Sequence, residues 1–248
     1  MIPLEDPTLL SLLFHLNSEP WLNDDAYRTA AGPQEFKQPA SVLSEMALPA
    51  PEGSAVADAI RRRRSCRAFR PAVMPLASLS SMLNDAYGVV GSTSFGDRTR
   101  FLRRAVPSAG GLFPLERYVV LRRVDGLEDG LYHYDVLGHR VRLMRRGDLF
   151  PTLEPMFYTY PFIQEANLVV AVAAVFKRVQ KKYGPRGYRY ILIESGHVGQ
   201  NLCLRAAEMG LATLCMGGFV DSELNALIGL SPTREGVMYT LAAGYDAE

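Results

Sequence analysis

The chain has 248 residues, of which 48% are hydrophobic and 21% charged, a composition typical of a folded protein with a substantial core. Its net charge of +1 provides no overall field that would argue for a nucleic-acid or membrane partner. The three cysteines, Cys66, Cys203 and Cys215, form no CxxC pair, so we expect reduced thiols and a cytoplasmic protein.

The first 53 residues are rich in proline, serine and acidic residues, with short apolar stretches. They lack the basic start and small-residue cleavage site of a secretory signal. We interpret residues 1–53 as an extension that packs on the core and residues 54–248 as the main domain. The longest apolar run, Leu168–Phe176, has nine residues, about half of a membrane span.

Apolar spacing and turn residues predict the remaining elements in chain order. Ser54 is expected to cap a helix over residues 55–64, and Asp221 to cap a short helix that follows it. Further predicted helices cover residues 76–90 and 148–160. Strands are predicted at residues 116–124, in a hairpin over 131–144, and at 168–176, 211–219 and 237–242. Without a regular βαβ repeat, this order indicates an α+β fold.

The segment from Lys181 to Leu211 predicts a long buried helix. Its apolar face recurs every three or four residues, at Ile191, Ser195, Val198 and Leu202. Gly196 and Gly199 disfavour a helix, so we expect another backbone to approach closely there. A cationic and aromatic cluster that includes Lys182 and Tyr183 stands at the entrance of this predicted helix.

Two short motifs are candidates for ligand binding. RRRRSCRAF, residues 61–69, surrounds the Ser65 hydroxyl with arginines that could hold a phosphate; their alternative role is to complement a helix C-terminus. PSAGG, residues 107–111, lacks side-chain bulk and would let the backbone approach a flat ligand, or is an ordinary turn. The sequence contains no Walker P-loop, HExxH, GxSxG or GxGxxG pattern, and no metal site is predicted.

The order of five motifs resembles the nitroreductase superfamily, and most closely the SagB-type FMN dehydrogenases that oxidise azolines. The motifs are RRRRSCRAF, PSAGGLFPLERYVV, GLYHYD, KKYGPRGYRYILIESGHVGQNL and LATLCMGGFVDSELNALIGL. The resemblance covers roughly residues 55–244. It implies a nitroreductase-like fold, with a mixed, mainly antiparallel central sheet flanked by helices, in an intertwined homodimer that binds FMN at the subunit interface.

The resemblance also implies roles for individual residues. The element that holds the FMN phosphate and ribityl chain corresponds to Arg63, Arg64, Ser65 and Arg67. The element that comes from the neighbouring subunit and lies along the flavin ring corresponds to Pro107, Ser108, Ala109 and Gly110. The glycine turn at the flavin ring corresponds to Met216, Gly217 and Gly218. A further basic pair near the C-terminus of many nitroreductases has no counterpart in the final residues GYDAE.

Lys182 and Tyr183 match the Lys-Tyr pair of the azoline oxidases and are the expected catalytic residues. Aromatising a thiazoline or oxazoline removes a hydride and a proton from adjacent ring carbons, so the protein must supply a base. The expected substrate is a ribosomal peptide or a carrier-tethered nonribosomal intermediate, with O₂ as the final acceptor. The alternatives are an NAD(P)H-dependent nitroreductase or flavin reductase, and a non-catalytic scaffold of a biosynthetic complex.

Overall fold

The computed structural model describes residues 9–19, 37, 39–95 and 99–248, and only the backbone of residues 95, 99 and 100. Its helices are α1 (Leu9–Asn17), α2 (Ala55–Arg62), α3 (Leu76–Tyr87), α4 (Phe150–Leu153), α5 (Tyr160–Ile163), α6 (Phe176–Tyr183), α7 (Arg186–Glu208) and α8 (Asp221–Ile228). Its strands are β1 (Phe69–Arg70), β2 (Val89–Phe95), β3 (Thr99–Arg104), β4 (Leu115–Leu121), β5 (Gly130–Asp135), β6 (Arg140–Arg146), β7 (Leu168–Val175), β8 (Ala212–Met216) and β9 (Glu235–Asp246).

Seven strands form the central sheet in the order β1-β9-β7-β4-β5-β6, with β8 also paired to β9. Every strand pair described in this sheet is antiparallel. Strand β7 is buried on both faces because α3 and α7 cover one side, and α4, α5 and α8 cover the other. The α+β fold, its antiparallel sheet and its flanking helices are therefore confirmed. Among the described helices, none combines the length and the apolar character needed to cross a membrane.

The predicted long helix is two helices. Helix α6 ends at Tyr183, Gly184 adopts a positive φ of 54°, and α7 begins at Arg186 after Pro185. Glycine accommodates this backbone conformation, and the residue before a proline avoids the helical region. Lys182 and Tyr183 therefore end a separate helix, and do not form the first turn of the long one.

The buried face of α7 is confirmed, but the backbone contact expected at Gly199 is wrong, and the one expected at Gly196 stays a prediction. A β-carbon on Gly199 would lie 2.4 Å from the ring of Tyr239, which is a side chain of β9. Gly196 has no other part of the described chain within 4 Å of such an atom. Gly199 is therefore required by an aromatic ring packed on the helix, while Gly196 lies on the exposed face.

Other predicted elements differ from the structure in a segment that contains prolines and in an exposed hairpin. The predicted helix over residues 148–160 is divided into short helical turns, each with a proline in its first two positions. The β2–β3 hairpin was not predicted, because its arginines read equally well as a solvated surface. Ser54 does cap α2, accepting from the Ala57 N–H at 3.1 Å. Asp221 does not cap α8, whose N-cap is Val220.

Residues 9–19 contact the main domain through buried polar groups. His15 Nδ1 and the Tyr188 hydroxyl are 3.0 Å apart, and Gln180 donates to the Ser11 hydroxyl at 3.0 Å. The Glu19 carboxylate accepts from both the N–H and the hydroxyl of Ser222, each at 2.8 Å. Glu19 thus satisfies a free donor in the first turn of α8. The domain boundary at residue 53 stays a prediction.

Replacing Asp221 by asparagine is expected to stabilise the protein in a pH-dependent manner. Burial, and then the nearby charge of Glu19, raise the pKa of Asp221 to about 7 from 3.8. A carboxyl whose pKa is raised by folding favours the folded state most below the unfolded pKa, and this contribution is lost as pH rises toward 7. After allowance for solvent screening, Asp221→Asn should raise the free energy of unfolding by about 1–2 kcal/mol at pH 8, and much less at pH 4.

Urea denaturation at the two pH values measures this difference. Glu223→Gln is the matched control, because Glu223 is an exposed acid in the same first turn of α8. It removes the same favourable interaction with the helix dipole without relieving a buried charge. If the two variants change the free energy of unfolding equally at pH 8, the burial of the Asp221 charge is not what destabilises the protein.

Candidate active site

The turn at residues 107–111 is held rigidly by Ser108. Its hydroxyl accepts from the N–H of Phe113 at 2.9 Å and donates to the carboxylate of Glu194 at 2.5 Å. Ala109 to Gly111 form a short 3₁₀ turn in which Gly110 has a φ of 62°. The Ser108 side chain therefore closes the turn on itself and connects it to α7.

Glu194 anchors this turn from the buried side of α7 and was not singled out from the sequence. The carboxylate is 2% exposed and also accepts from the Tyr87 hydroxyl at 2.7 Å. Burial raises the pKa of Glu194 despite these two hydrogen bonds. An acid between Ile191 and Val198, on the apolar face of a helix, is the sequence signal that could have identified it, because buried carboxyls are rarely unpaired.

Lys182 and Tyr183 lie directly over the backbone of Gly110. A β-carbon added to Gly110 would lie 2.9 Å from the Lys182 Nζ atom and 2.8 Å from the Tyr183 hydroxyl oxygen. The Tyr183 ring packs edge-on against Tyr190, with ring centroids 5.0 Å apart. The structure thus brings together two regions that are more than 70 residues apart in the chain. A side chain at position 110 would displace both polar groups.

An apolar cavity of about 570 Å³ lies against this turn. Its walls include Pro107, Ser108 and Gly110, together with the outer strand β3. A second cavity of about 490 Å³ shares Gly111 and Phe113 with it and has a more charged lining. Pro107 and Gly110 are exposed, whereas Ser108 and Ala109 are half-buried. The turn therefore presents its backbone to space large enough for a small molecule.

The arginine motif lies elsewhere, after the end of α2. Ser65 and Cys66 run alongside β8, where the Cys66 N–H donates to the Thr213 carbonyl at 2.9 Å. Arg63 lines a cavity of about 200 Å³ beside Thr213, and Ser65 and Arg67 are exposed. Within the described part of the chain, neither Arg63 nor Arg67 forms an ion pair.

Arg64 differs from its neighbours because its charge is already compensated. Its guanidinium forms ion pairs with the carboxylates of Asp246 and Glu248 near the C-terminus of the chain. The hydrogen bond with Asp246, and then its charge, raise the pKa of Arg64. Of the three arginines that the family resemblance assigns to the phosphate, Arg63 and Arg67 are therefore the ones without an ion pair in the described structure.

The late glycine turn follows β8. Met216 is buried, and its carbonyl accepts from the Thr240 hydroxyl at 2.9 Å. A β-carbon on Gly217 would meet nothing within 4 Å in the described structure. Gly218 has only the Tyr158 ring nearby, at 4.0 Å. Gly217 therefore has open space beside its backbone.

The arginine motif and the Lys182–Tyr183 pair lie toward different ends of α7. We call Arg63, Ser65, Arg67 and Met216–Gly218 the phosphate half, and Ser108–Gly110, Lys182 and Tyr183 the base half. Arg63 shares a cavity with Ala207 near the C-terminal end of α7, while Tyr183 precedes its N-terminal end. The helix has 23 residues, so at 1.5 Å per residue its two ends are about 34 Å apart.

The fold is an antiparallel sheet covered by helices on both faces. The long helix α7 packs on one of these faces. The sequence model of the Nitroreductase family matches residues 60–245. The chain therefore belongs to the nitroreductase family, and its oxidoreductase class follows from that membership. Of the sequence predictions, the superfamily is thereby confirmed; the SagB-type subgroup stays a prediction.

Two proteins similar in sequence to this chain have names that indicate different roles. The nitroreductase-family protein MJ1384 of Methanocaldococcus jannaschii is 35% identical over 184 residues, which cover 74% of this chain and 89% of that protein. The trifolitoxin-processing protein TfxB of Rhizobium leguminosarum bv. trifolii is 27% identical over 181 residues, which cover 68% of this chain. The chain spans only 46% of TfxB.

Among solved structures, the fold is similar to a chain of the Escherichia coli microcin synthetase McbBCD complex with truncated pro-MccB17 bound. The TM-score is 0.67 at 20% sequence identity, and the alignment covers 98% of this chain and 94% of that one. At this level of identity the similarity concerns the fold. It extends over nearly the whole of both chains.

Proposed function

We propose that the protein is an FMN-dependent dehydrogenase that oxidises thiazoline or oxazoline rings to thiazoles or oxazoles in a peptide-derived natural product. The observation that carries this proposal is the position of Lys182 and Tyr183 over Gly110, within 3 Å of where a β-carbon would lie. This arrangement puts an amine and a phenol at the turn that the family resemblance assigns to the flavin ring. The likeness to TfxB favours a substrate derived from a peptide.

FMN fits the residues of the phosphate half. Arg63 and Arg67 offer guanidinium groups without an ion pair in the described structure, and Ser65 is exposed between them. Arginine forks and a hydroxyl are the groups that bind a phosphate well. Gly217 leaves room for a flat ring beside the backbone. In this proposal Arg63 and Arg67 hold the phosphate.

The base half supplies the proton chemistry. When bound, FMN provides the acceptor for the hydride that leaves the azoline ring. Lys182 takes the proton from the adjacent ring carbon on Nζ, and the Tyr183 hydroxyl orients that amine toward the substrate. The apolar cavity excludes water from the ring and aligns it over Gly110. We expect O₂ to be the final electron acceptor.

The separation of the two halves favours a homodimer. Arg63 lies near the C-terminal end of α7 and Lys182 precedes its N-terminal end, so we propose that they contact different cofactors. In the proposed arrangement, the phosphate half of one protomer and the base half of its partner complete each site. The exposed face of α7, which includes Leu192, Ile193 and Gly196, is the surface we expect at this interface.

The proposal is tested with purified protein, a thiazoline-containing peptide and the visible spectrum. We expect yellow protein with flavin absorbance and conversion of thiazoline to thiazole, a loss of two mass units, with consumption of O₂. Rapid bleaching by NADPH with turnover of nitroaromatics, and no azoline oxidation, would instead identify a nitroreductase. Protein that remains colourless after FMN is added would support the non-catalytic scaffold.

Replacing Arg63 by glutamine should weaken FMN binding. Losing one charge-assisted pair to a phosphate costs about 1.5–3 kcal/mol, so we expect Kd for FMN to rise roughly 10- to 100-fold. Fluorescence quenching of FMN on titration with apoprotein measures this change. Arg61→Gln is the control, because Arg61 already pairs with Asp58 at 3.0 Å. Equal Kd values for FMN in the two variants would show that Arg63 does not bind the phosphate.

A further inference from the structure

The charged cavity beside the base half is lined by arginines for which azoline oxidation alone gives no role. This cavity, about 490 Å³, is lined by Gly111, Phe113, Arg104 and Arg117. It adjoins the apolar cavity next to Gly110, with which it shares Arg104 and Phe113. A substrate bound over Gly110 can therefore extend into it.

Arg117 is a buried cation that forms no ion pair with the other residues the structure describes. It is 2% exposed on the inner face of β4, and its guanidinium lies over the Tyr87 ring, 4.1 Å from the centroid. Nη1 donates to the Leu115 carbonyl at 2.8 Å, while Nε is buried without a hydrogen-bond partner. Burial lowers the pKa of Arg117 to about 10. A buried cation without a carboxylate partner is costly, and a bound anion would offset that cost.

Arg104 provides a second guanidinium at the same aromatic cluster. Its Cζ atom lies 4.7 Å from the centroid of Tyr87 and 4.6 Å from that of Phe113. Its Nε atom is likewise buried and has no hydrogen-bond partner among the described residues. Stacking on aromatic rings fixes the plane of a guanidinium and leaves its N–H edge free for an anion. The two arginines thus contribute two oriented cations to one cavity.

The acidic groups lining this cavity form their ion pairs with cations other than Arg104 and Arg117. Glu116 pairs with Arg178 at 2.6 Å and with His133 at 3.0 Å. Burial raises the pKa of Glu116, but these partners outweigh it and bring the pKa to about 2. Asp135 forms ion pairs with Arg140 and Arg142. Glu116 and Glu194 act on Arg117 and Arg104 through their charges, but among the described residues none of these acids forms an ion pair with either arginine.

We propose that Arg104 and Arg117 bind a carboxylate of the substrate, so that the preferred substrate is an azoline that carries an acidic group close to the ring. The proposal rests on the proposed function, because it places that ring over Gly110. The acidic group is either a carboxylate on the azoline ring itself or the side chain of a neighbouring Asp or Glu in a peptide. A planar carboxylate matches the bidentate edge of arginine.

The test uses ligands that need no turnover, with FMN-loaded protein. Thiazole-4-carboxylate and thiazole-4-carboxamide differ in charge but hardly in shape, and isothermal titration calorimetry gives their Kd values. We expect the wild type to bind the carboxylate roughly 10- to 100-fold more tightly, the effect of one or two charge-assisted hydrogen bonds. Arg104→Met, which keeps an unbranched side chain over Tyr87, should reduce this ratio to about threefold or less.

Arg146→Met is the control, because Arg146 is an exposed arginine of β6 that lines neither cavity. It should keep the wild-type ratio. Arg117→Met should also abolish the preference; because Arg117 is buried, circular dichroism must first show that this variant is folded. A wild type without preference, or an Arg104→Met protein that retains it, would overturn the proposal. Competition by inorganic phosphate at lower concentration than acetate would also overturn it, in favour of a phosphate ligand.

Two further comparisons separate this proposal from the proposed function. If the Arg104-dependent preference is measured but no azoline is oxidised, the carboxylate site stands and the azoline function fails. If azolines are oxidised equally well as acids and as amides, the function stands and the carboxylate site fails. Peptides with the acid on the ring or on the next residue distinguish the two sources: the source with the lower KM is the one the site binds.

Discussion

Replacing Lys182 by methionine should lower kcat for azoline oxidation by roughly 100- to 10,000-fold, the usual contribution of a positioned general base. Lys182 Nζ lies 2.9 Å from where a β-carbon on Gly110 would be, and methionine retains the apolar stem without the amine. The variant should remain yellow, because the residues that we propose to hold FMN belong to the phosphate half. Stopped-flow reduction of the flavin by an azoline peptide measures the chemical step directly.

The matched control is Lys181→Met, which removes an exposed lysine from the neighbouring position of α6. It should react at close to the wild-type rate, whereas Tyr183→Phe should be slowed by loss of the hydroxyl that orients the amine. If Lys182→Met reduces its flavin within threefold of the wild-type rate, Lys182 is not the base. A similar loss in Lys181→Met would indicate a general effect of cationic charge on substrate binding.

Replacing Glu194 by alanine should lower the free energy of unfolding by about 2–4 kcal/mol, because the hydroxyls of Tyr87 and Ser108 lose their acceptor. Each buried polar group left without a partner costs about 1–3 kcal/mol. Glu194→Gln retains an acceptor oxygen of similar shape and should lose less. Urea denaturation measures these changes, with the exposed Gln200→Ala on the same helix as control.

The same substitution should also affect activity, because Glu194 holds the turn that carries Gly110 through Ser108. We expect a lower kcat in Glu194→Ala with little change in Kd for FMN, whose phosphate lies in the phosphate half. Rescue of kcat by Glu194→Gln would identify Glu194 as a positioning residue. A loss of stability below about 0.5 kcal/mol in Glu194→Ala would show that the carboxylate is not needed to hold the turn.

Local sequence patterns were sufficient to predict those elements whose structure depends on the hydrophobic periodicity of the segment itself. The continuous apolar run at residues 168–176 became the central strand β7, because a strand covered on both faces needs no polar alternation. The paired turn residues around 131–144 gave the β5–β6 hairpin. The break at Gly184 and Pro185 could also have been read from the sequence, but the helical spacing on either side obscured it.

Contacts across the sheet could not be predicted in this way. Glu194 and Arg117 each occupy an apolar position, on the inner face of α7 and of β4 respectively. A charged residue at an apolar position indicates a buried polar role without naming its partner. The partners Tyr87 and Ser108 are 107 and 86 residues from Glu194 in the chain, a distance over which no local pattern operates.

The sequence by itself determined the family and the α+β fold, and it supplied the candidate residues of the proposed phosphate and base halves. These features depend on composition, spacing and motif order, which are local properties of the chain. Only the tertiary structure decided that Lys182 and Tyr183 end a separate helix and lie over Gly110. It also decided that Arg104 and Arg117 flank one tyrosine, since such contacts arise when distant segments pack against the same sheet.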